Sequence, residues 1–544
     1  MKADRIIFGG VIRTIDDRRP EAEAVAIGEG RILAVGDYDH VSAFAGEDTE
    51  FTDLQGKTML PGFVEPHGHP FWSAQCWGDP IVDIRAVHEP TFDAVLAKIK
   101  RRVSKAKPGE LIWFLGLDAQ LHEGMKEPSR ELMDSLAPDV GIVIQTSNFH
   151  GIYLNSRALD YFGINGTYQP PLGGRFVNGS DGLPWKFAET AAWQILERFQ
   201  EMLGEERLAR VYEEWVGKFV DAGYTTSSEI LIQPGHSPML RAAVKTQKYP
   251  LRIVGYEGKH LGGDVTVPLN YGDDDFRVLG IKLHADGSVL LGNVWTTQPY
   301  LNTDMTLKGM GLPRDSTGHA NLSEDKLYEL VSRYAREGWQ VSVHSHGDRT
   351  IDMALDVYER VIGELGADAI AGPYRLEHCG LMREDQIDRA IKLGVVSSYF
   401  LPYIFYWGEA LRDNLLGEAQ AAGFVPAGSA IRKGMRASFH CDSPMTWPSA
   451  LTCLHVATTR KTLKGAVLGP EQRVSMADAL KAITIDAAYH LRMDDRIGSI
   501  EVGKYADFVI LAQDPLEAAP DEILNIRIVS TILAGRDTRT RPAT

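Results

Sequence analysis

The sequence has little cysteine and no long apolar run, and each absence excludes a class of protein. Four cysteines among 544 residues, with no Cys-x-x-Cys pair, exclude a disulfide framework and a thiolate zinc knuckle. No apolar run approaches the ~18 residues that span a bilayer. The first ten residues contain Lys2, Asp4 and Arg5 and only a short apolar run, Ile6–Phe8, which is not the pattern of a signal peptide. We therefore expect a reduced, cytoplasmic protein.

The sequence also has no excess of positive charge, and it lacks the motifs of nucleotide and ester hydrolysis. The sequence contains no Gly-x-x-x-x-Gly-Lys-Ser/Thr loop, no Gly-x-Ser-x-Gly elbow and no Gly-x-Gly-x-x-Gly turn that opens a helix. The net charge is −16, and an acidic surface repels phosphate backbones and anionic lipids. We expect a small-molecule substrate and no nucleic-acid or membrane partner. The oligomeric state stays open, with a homodimer among the alternatives.

The sequence does contain short β-branched runs that alternate with longer helical patterns. Eight apolar runs are typical of strands, and most are separated by segments of 3.6-residue periodicity. These runs are residues 59–65, 224–228, 251–256, 278–284, 341–344, 374–377, 395–399 and 437–440. Eight parallel strands with crossover helices predict an α/β fold of the (β/α)8 type, a TIM barrel.

Segments outside this pattern predict two additions to the barrel. Short strands with glycine-containing turns occur near both ends of the chain, and together they predict one small β-sandwich domain built from both termini. The interval 70–223 is too long for a βα loop and contains its own helical patterns, so we expect an inserted subdomain. The predicted limits are 1–57 and 489–544 for the two sandwich parts and 58–488 for the barrel, with the insertion at about 71–222.

The segment Pro61–His69 contains the strongest chemical signal. His67 and His69 are two residues apart at the end of an apolar strand, so their side chains point the same way and can reach one ion. One such pair is weak evidence, but barrel active sites lie at the C-terminal ends of the strands. Other predicted strands end at or just before Lys282, His344, His378 and Asp442. Imidazole and carboxylate groups suit Zn²⁺ and similar divalent ions.

These motifs, in this order, resemble those of the amidohydrolase superfamily. The resemblance is to its large metal-dependent branch, amidohydrolase family 3, which includes the N-substituted formamide deformylases. The matching segments span nearly the full length and are PGFVEPHGHP, HGIYLNSRAL, GIKLHADGS, QVSVHSHGDRTIDMALDVYE, RLEHCG, FHCDSP and GSIEVGKYADFVIL. The resemblance implies a metal-dependent hydrolase of carbon–nitrogen bonds other than peptide bonds, and a β-sandwich built from both chain ends.

The resemblance also implies the metal ligands. His67 and His69 would bind one ion, and His344 and His378 would bind a second. Lys282 would bridge the two ions as a carbamate made with carbon dioxide, because burial beside cations disfavours the charged amine. The expected cofactor is two zinc ions per chain, with manganese, iron or nickel as alternatives. A lysine paired with a nearby acid and histidines capped within the core are the simpler interpretations.

Asp442 is expected to be both a metal ligand and the general acid/base. A metal-bound hydroxide would attack the carbonyl carbon, and Asp442 would carry the proton to the leaving nitrogen. As an alternative, Asp442 caps the helix that follows, and Lys282 pairs with Asp286. Two other functions stay open: a mononuclear amidine deaminase of the same superfamily, which would lack the bridging lysine, and a metal-free binding protein on the same fold.

Two histidines and a cysteine depart from the pattern of the relatives. The relatives usually have an apolar residue at the position of His346, and Gly-Ser at the positions of His440 and Cys441. For His346 and His440 we consider substrate binding, a proton relay and packing, and for Cys441 packing is favoured over a nucleophile. His150 matches a histidine of the relatives' inserted domain and is expected to reach over the site.

Tryptophans are frequent in the loops that should cover the barrel mouth. Trp72 follows the first strand, and Trp295, Trp407 and Trp447 follow the fourth, seventh and eighth strands. Loop packing explains any single ring, but small-molecule sites are mostly apolar and aromatic. We therefore take the last three as candidate substrate contacts and expect a substrate with an apolar or aromatic group.

Overall fold

A parallel sheet of eight strands lies at the centre of the protein, whose computed structural model describes residues 1–259, 262–367 and 370–538. Barrel strands that follow one another along the chain are neighbours in this sheet. The first to eighth barrel strands are Phe63–Glu65, Tyr224–Ile232, Arg252–Gly258, Phe276–His284, Gln340–Ser345, Arg375–His378, Val396–Phe400 and Ser438–His440. The predicted (β/α)8 barrel is confirmed.

The barrel is nearly closed. Ladder pairing is continuous from the first strand to the eighth, and individual hydrogen bonds cross the remaining gap. The Cys441 N–H donates to the Glu65 carboxylate at 3.2 Å, and the His69 N–H donates to the Ser443 carbonyl at 3.0 Å. The segments that follow the first and last strands are therefore held side by side.

Helices cover the outside of the barrel, and the amphipathic ones bury an apolar stripe. Helix Asp348–Leu365 buries Ile351, Leu355 and Tyr358 on one face, as its 3.6-residue periodicity predicts. The helices of this layer are Pro70–Cys76, Glu205–Asp221, Ser237–Thr246, Glu324–Arg336, Asp348–Leu365, Glu384–Leu393, Pro402–Ala410, Glu418–Ala422, Ala427–Arg432, Ala450–Thr459, Met476–Ala482 and Ile485–His490. Shorter 3₁₀ or π turns are Val289–Leu291, Met305–Gly309, Leu411–Leu416, Pro470–Gln472 and Ile523–Asn525.

Both ends of the chain contribute strands to a second sheet, the terminal sheet. Its strands are Arg5–Arg13, Glu21–Gly28, Arg31–Gly36, Glu50–Asp53, Thr58–Pro61, Phe508–Leu511, Ile528–Leu533 and Arg536–Asp537, and the helix Tyr38–Ser42 lies beside them. Thr58–Pro61 joins the two ends, since it pairs with Arg5–Arg13 and with Phe508–Leu511. An extra domain from both termini is therefore present, and its limits at residues 57 and 489 stay a prediction.

Gly62 separates the terminal sheet from the barrel. The apolar run 59–65, predicted as one strand, is divided here into Thr58–Pro61 in the terminal sheet and Phe63–Glu65 in the barrel. A Cβ atom at Gly62 would lie 2.2 Å from Thr225 Oγ1, so glycine lets the two strands approach. The segment that carries His67 and His69 thus begins at the junction of two sheets.

The interval between the first and second barrel strands forms a third sheet. Its strands are Val82–Asp83, Leu111–Leu117, Gly141–Thr146, Gly151–Leu154, Arg175–Asn178 and Pro184–Ala188, and its helices are Phe92–Val103, Arg130–Leu136, Ser156–Phe162 and Thr190–Gln200. An apolar cluster that includes Phe92, Phe114 and Ile142 fills the space between this sheet and its helices. The predicted limits of this insertion also stay a prediction.

None of the helices in the described ranges has both the length and the apolar character that crossing a membrane requires.

Candidate metal centre

All six predicted ligands meet at the C-terminal end of the barrel. They come from or directly follow five strands, the first, fourth, fifth, sixth and eighth. Together they line one cavity of about 50 Å³. The six residues are His67, His69, Lys282, His344, His378 and Asp442. Residues far apart in the sequence are thus brought to one point, where barrel enzymes place their chemistry.

His67, His69 and Asp442 form a first group of metal-ligand type. Their ligand-capable atoms all lie within 4.8 Å of one another, and Asp442 Oδ1 is 3.3 Å from His69 Nε2 and 3.6 Å from His67 Nε2. His67 Nδ1 bonds Glu377 Oε2 at 2.6 Å, which leaves Nε2 as the nitrogen that faces Asp442. The backbone of Asp442 has a positive φ of 51°. The alternative role considered for Asp442, capping the following helix, belongs to Ser449, whose side chain caps helix Ala450–Thr459.

His344, His346 and His378 form a second group, again with ligand-capable atoms within 4.8 Å of one another. His344 Nε2 donates to the Gly287 carbonyl at 2.8 Å, so Nδ1 is the nitrogen with a free lone pair. His378 ends the sixth strand at a positive φ of 71°. His344 and His378 are the two histidines that the resemblance assigns to a second ion, and His346 is an addition to them.

His440 lies behind the ligands and contacts two of them. Its Nδ1 bonds Ser398 Oγ at 2.8 Å, and its Nε2 lies 3.2 Å from His378 Nδ1. With His67 and His378 it makes a third group within 4.8 Å. Since both of its nitrogens already have partners, the geometry suits a residue that orients His378. The neighbouring Cys441 is buried, with Sγ 3.4 Å from the Tyr224 hydroxyl, as its packing interpretation predicts.

Lys282 is buried without a partner. Lys282 is only 1% exposed, and its Nζ has no hydrogen-bond partner among the described residues. Burial lowers the pKa of Lys282 to about 8. Asp286, the predicted alternative partner, instead accepts from the backbone N–H groups of His346 and Gly347 at 3.0 and 2.8 Å. An amine in this state fits a site where it is neutral or modified.

Burial also keeps most of the imidazoles neutral. It lowers the pKa of His67, His344, His378 and His440 well below the usual value, which favours the form that binds metals. Burial acts on His69 in the same direction, but the nearby carboxylates of Asp442 and Glu229 outweigh it, and the pKa of His69 is raised.

Carboxylates outside the predicted set hold the ligands in place. Glu377 accepts from His67, and Arg375 lies 2.9 Å from its other oxygen. Glu229 lies 3.7 Å from His69 Nδ1 and accepts from the backbone N–H of Phe71. Sequence analysis missed Glu229, although a signal exists: it ends a run of polar residues, Thr226–Glu229, in a strand that is buried on both faces.

Of the predicted substrate contacts, His150 lines the cavity. Its ring centroid lies 5.5 Å from that of His344, and Nδ1 bonds Glu189 Oε2 at 2.9 Å. Burial alone would lower the pKa of His150, but the nearby carboxylates, above all that of Glu189, have a larger opposite effect, so the pKa of His150 is raised. His346 and His440 lie against the ligands and outside the lining.

The three predicted tryptophans lie elsewhere in the described structure. Trp407 Nε1 donates to Asp118 Oδ2 at 2.9 Å, and the Trp295 ring lies under the Arg349 guanidinium. Trp447 is 43% exposed and stacks on Trp215. The aromatic part of the cavity wall is made instead by Trp72, Phe149 and Trp193.

Comparison with known proteins agrees with this geometry. The model of the amidohydrolase family matches residues 50–538. The chain is 26% identical to the N-substituted formamide deformylase of Arthrobacter pascens, over 98% of this chain and 97% of that protein. It is 24% identical to the putative amidohydrolase YtcJ of Bacillus subtilis (strain 168), over 98% and 99%.

Among solved structures, the fold is similar to that of an uncharacterized metal-dependent hydrolase from Pyrococcus horikoshii. The TM-score is 0.72 at 20% identity, with 95% of this chain and 99% of that chain covered. The chain therefore belongs to the amidohydrolase family, and it is a hydrolase that acts on carbon–nitrogen bonds other than peptide bonds.

Proposed function

We propose that the protein hydrolyses an amide-type bond of a small molecule at a centre of two divalent metal ions, with zinc as the expected metal. The observation that carries this proposal is the convergence of six donor side chains from five strand ends on one small cavity. Neutral imidazoles and a carboxylate are the donors that zinc, iron and nickel prefer. The partnerless buried amine of Lys282 fits the same centre.

Lys282 is proposed to act as a carbamate. Its free amine would add to carbon dioxide: an N–C bond forms, the nitrogen loses a proton to solvent, and a carboxylate with two oxygens results. The lowered pKa of Lys282 makes the free amine available near neutral pH. This carboxylate, with His67, His69, His344, His378 and Asp442, would complete the ligand set.

Asp442 is the proposed general acid/base. When bound, the ions would lower the pKa of a water molecule towards ~7 and polarise the substrate carbonyl. Asp442 Oδ1 takes up a proton at the cavity wall, where its side chain is 16% exposed, and delivers it to the leaving nitrogen. His150, held through Nδ1 by Glu189, can donate from Nε2 to the substrate oxygen.

The lining supports an apolar or aromatic substrate group. Trp72, Phe149, Trp193, Leu231 and Met445 line the same cavity as the ligands, and such walls favour apolar groups. We infer an N-substituted formamide, or another N-acyl amine, with an apolar group on nitrogen. The similarity to the Arthrobacter pascens deformylase supports this class. A cytoplasmic location and a homodimer remain predictions from the sequence.

The test is a hydrolysis screen with protein stripped by a chelator and then reloaded with zinc. Substrates are N-benzylformamide, a short N-alkylformamide, N-benzylacetamide, a cyclic amide and an aromatic amidine, and the assays measure free amine and free ammonia. We expect zinc-dependent amine release from the formamides, abolished by His378→Ala and unaffected by His40→Ala, a change at an exposed site in the terminal domain. Ammonia from the amidine alone would favour the mononuclear deaminase. Full activity of the stripped protein would refute the metal mechanism.

A further inference from the structure

The second group of ligands contains one histidine more than the proposed centre uses. We propose that His346 is a third imidazole ligand of the second ion, so that His344, His346 and His378 form one face around a divalent transition-metal ion. This inference rests on the proposed metal centre and adds a ligand that the family resemblance does not imply.

The backbone places His346 for this task. It follows His344 by two residues at the end of the fifth strand, which is the spacing that brings His67 and His69 to one point. The Asp286 carboxylate accepts from the N–H groups of His346 and Gly347 and fixes this turn. The His346 ring centroid lies 5.1 Å from that of His344 and 4.6 Å from that of His378.

The hydrogen bonding of His346 differs from that of a histidine that only packs. His346 is 2% exposed, and its Nδ1 is buried with no partner among the described residues. His122 and His490, two buried histidines away from the cavity, each have both nitrogens bonded. Buried polar atoms are nearly always satisfied, and the unsatisfied Nδ1 of His346 lies beside two proposed ligands, where a bound ion could complete it.

A substrate contact explains His346 less well than a metal ligand does. The cavity lining includes His344 and His378 but not His346, so the rings of those two histidines, and not that of His346, border the substrate space. Its ligand-capable nitrogen nevertheless lies within 4.8 Å of theirs. Three imidazoles at one ion favour zinc, nickel or copper over manganese, which prefers oxygen ligands.

The decisive measurement is a crystal structure of the zinc-loaded wild-type protein, with anomalous data at the zinc edge. We expect a His346 nitrogen at about 2.0–2.1 Å from the second zinc ion, as in other zinc–imidazole sites. A His346 nitrogen beyond 3 Å from both zinc ions would overturn the inference. This measurement needs no variant, so it does not depend on whether a substituted protein folds.

Variants provide the second test, with zinc affinity measured by chelator competition and zinc content by elemental analysis. His346→Ala should weaken the second zinc site at least 100-fold and leave the first site within threefold. The matched control is His122→Asn, a buried histidine of the inserted subdomain, which should leave both sites unchanged; circular dichroism verifies the folding of each variant. If His346→Ala leaves the zinc affinity of both sites unchanged, this inference is refuted and the proposed function still stands. A wild-type protein that binds no zinc would refute the proposed function itself.

Discussion

Uptake of carbon dioxide by Lys282 should depend steeply on pH in the metal-free protein, because only the free amine reacts. With a pKa of about 8, the free amine makes up about a tenth of the molecules at pH 7 and about nine tenths at pH 9. A lysine with the ordinary pKa of 10.5 would have roughly 300 times less free amine at pH 7. Burial of Lys282 without a partner thus predicts a reactive amine near neutral pH and about a tenfold increase in its uptake rate between pH 7 and pH 9.

The assay exposes metal-free protein to ¹³C-labelled carbon dioxide and follows the carbamate carbon by NMR. Dissolved carbon dioxide must be held constant through the gas phase, since at constant total bicarbonate its concentration falls as pH rises. Lys282→Ala gives the background from the N-terminal amine and surface lysines, and this background is subtracted. In parallel, zinc is added and the recovery of amide hydrolysis is timed.

We expect the Lys282-dependent signal to form about ten times faster at pH 9 than at pH 7, with recovery of activity following the same ratio. Uptake rates at pH 7 and pH 9 that differ by less than twofold would show that the pKa of Lys282 is not near 8. Equal labelling of wild type and Lys282→Ala would show that this lysine is not carbamylated, and an active, zinc-filled protein with unmodified lysine would favour the mononuclear alternative.

Three further predictions concern chemistry, specificity and stability. Asp442→Asn keeps the side-chain shape but removes the base, so kcat should fall by roughly 10²–10⁴ with much of the zinc retained; near-normal turnover would place the acid/base elsewhere. Trp72→Ala should reduce the kcat/KM preference for benzyl over short alkyl formamides more than Trp407→Ala does, because Trp72 lines the cavity and Trp407 does not. Equal effects of the two variants would contradict this prediction. Asp507→Asn removes the charge 3.0 Å from the buried Arg252 of the third strand, which keeps Asp275 at 2.6 Å as a second partner. The loss of one charged hydrogen bond should cost about 1.5–3 kcal/mol of unfolding free energy. The exposed Asp521→Asn should leave the unfolding free energy almost unchanged, because surface ion pairs contribute little, and denaturant unfolding compares the two variants.

The barrel and the meeting point of the candidate site residues could be predicted because both leave local marks in the sequence. Strands of a parallel barrel are buried on both faces and appear as short apolar runs, and each of the eight runs overlaps a barrel strand. Catalytic groups of a barrel follow such runs directly, so His344, His378 and Asp442 stood out by position. No knowledge of contacts between distant segments was needed for either inference.

The features that the sequence could not supply depend on such contacts. The run 59–65 has one apolar pattern, and only its pairing partners decide that it is divided between two sheets. Trp407 follows a strand end as the pattern requires, but Asp118 of the inserted subdomain binds its indole away from the cavity. Trp72 and Trp193 form the wall instead, because the insertion folds back over the barrel mouth.

The position of Thr58–Pro61 between the two chain ends has a consequence for how the protein is made. This strand emerges from the ribosome long before Phe508–Leu511, which completes one of its two edges. Until then an apolar strand edge, one residue from the first barrel strand, stays open to other chains, and unpaired edges of this kind promote aggregation. Variants truncated before Phe508 should therefore accumulate as insoluble protein, because this edge then stays unpaired.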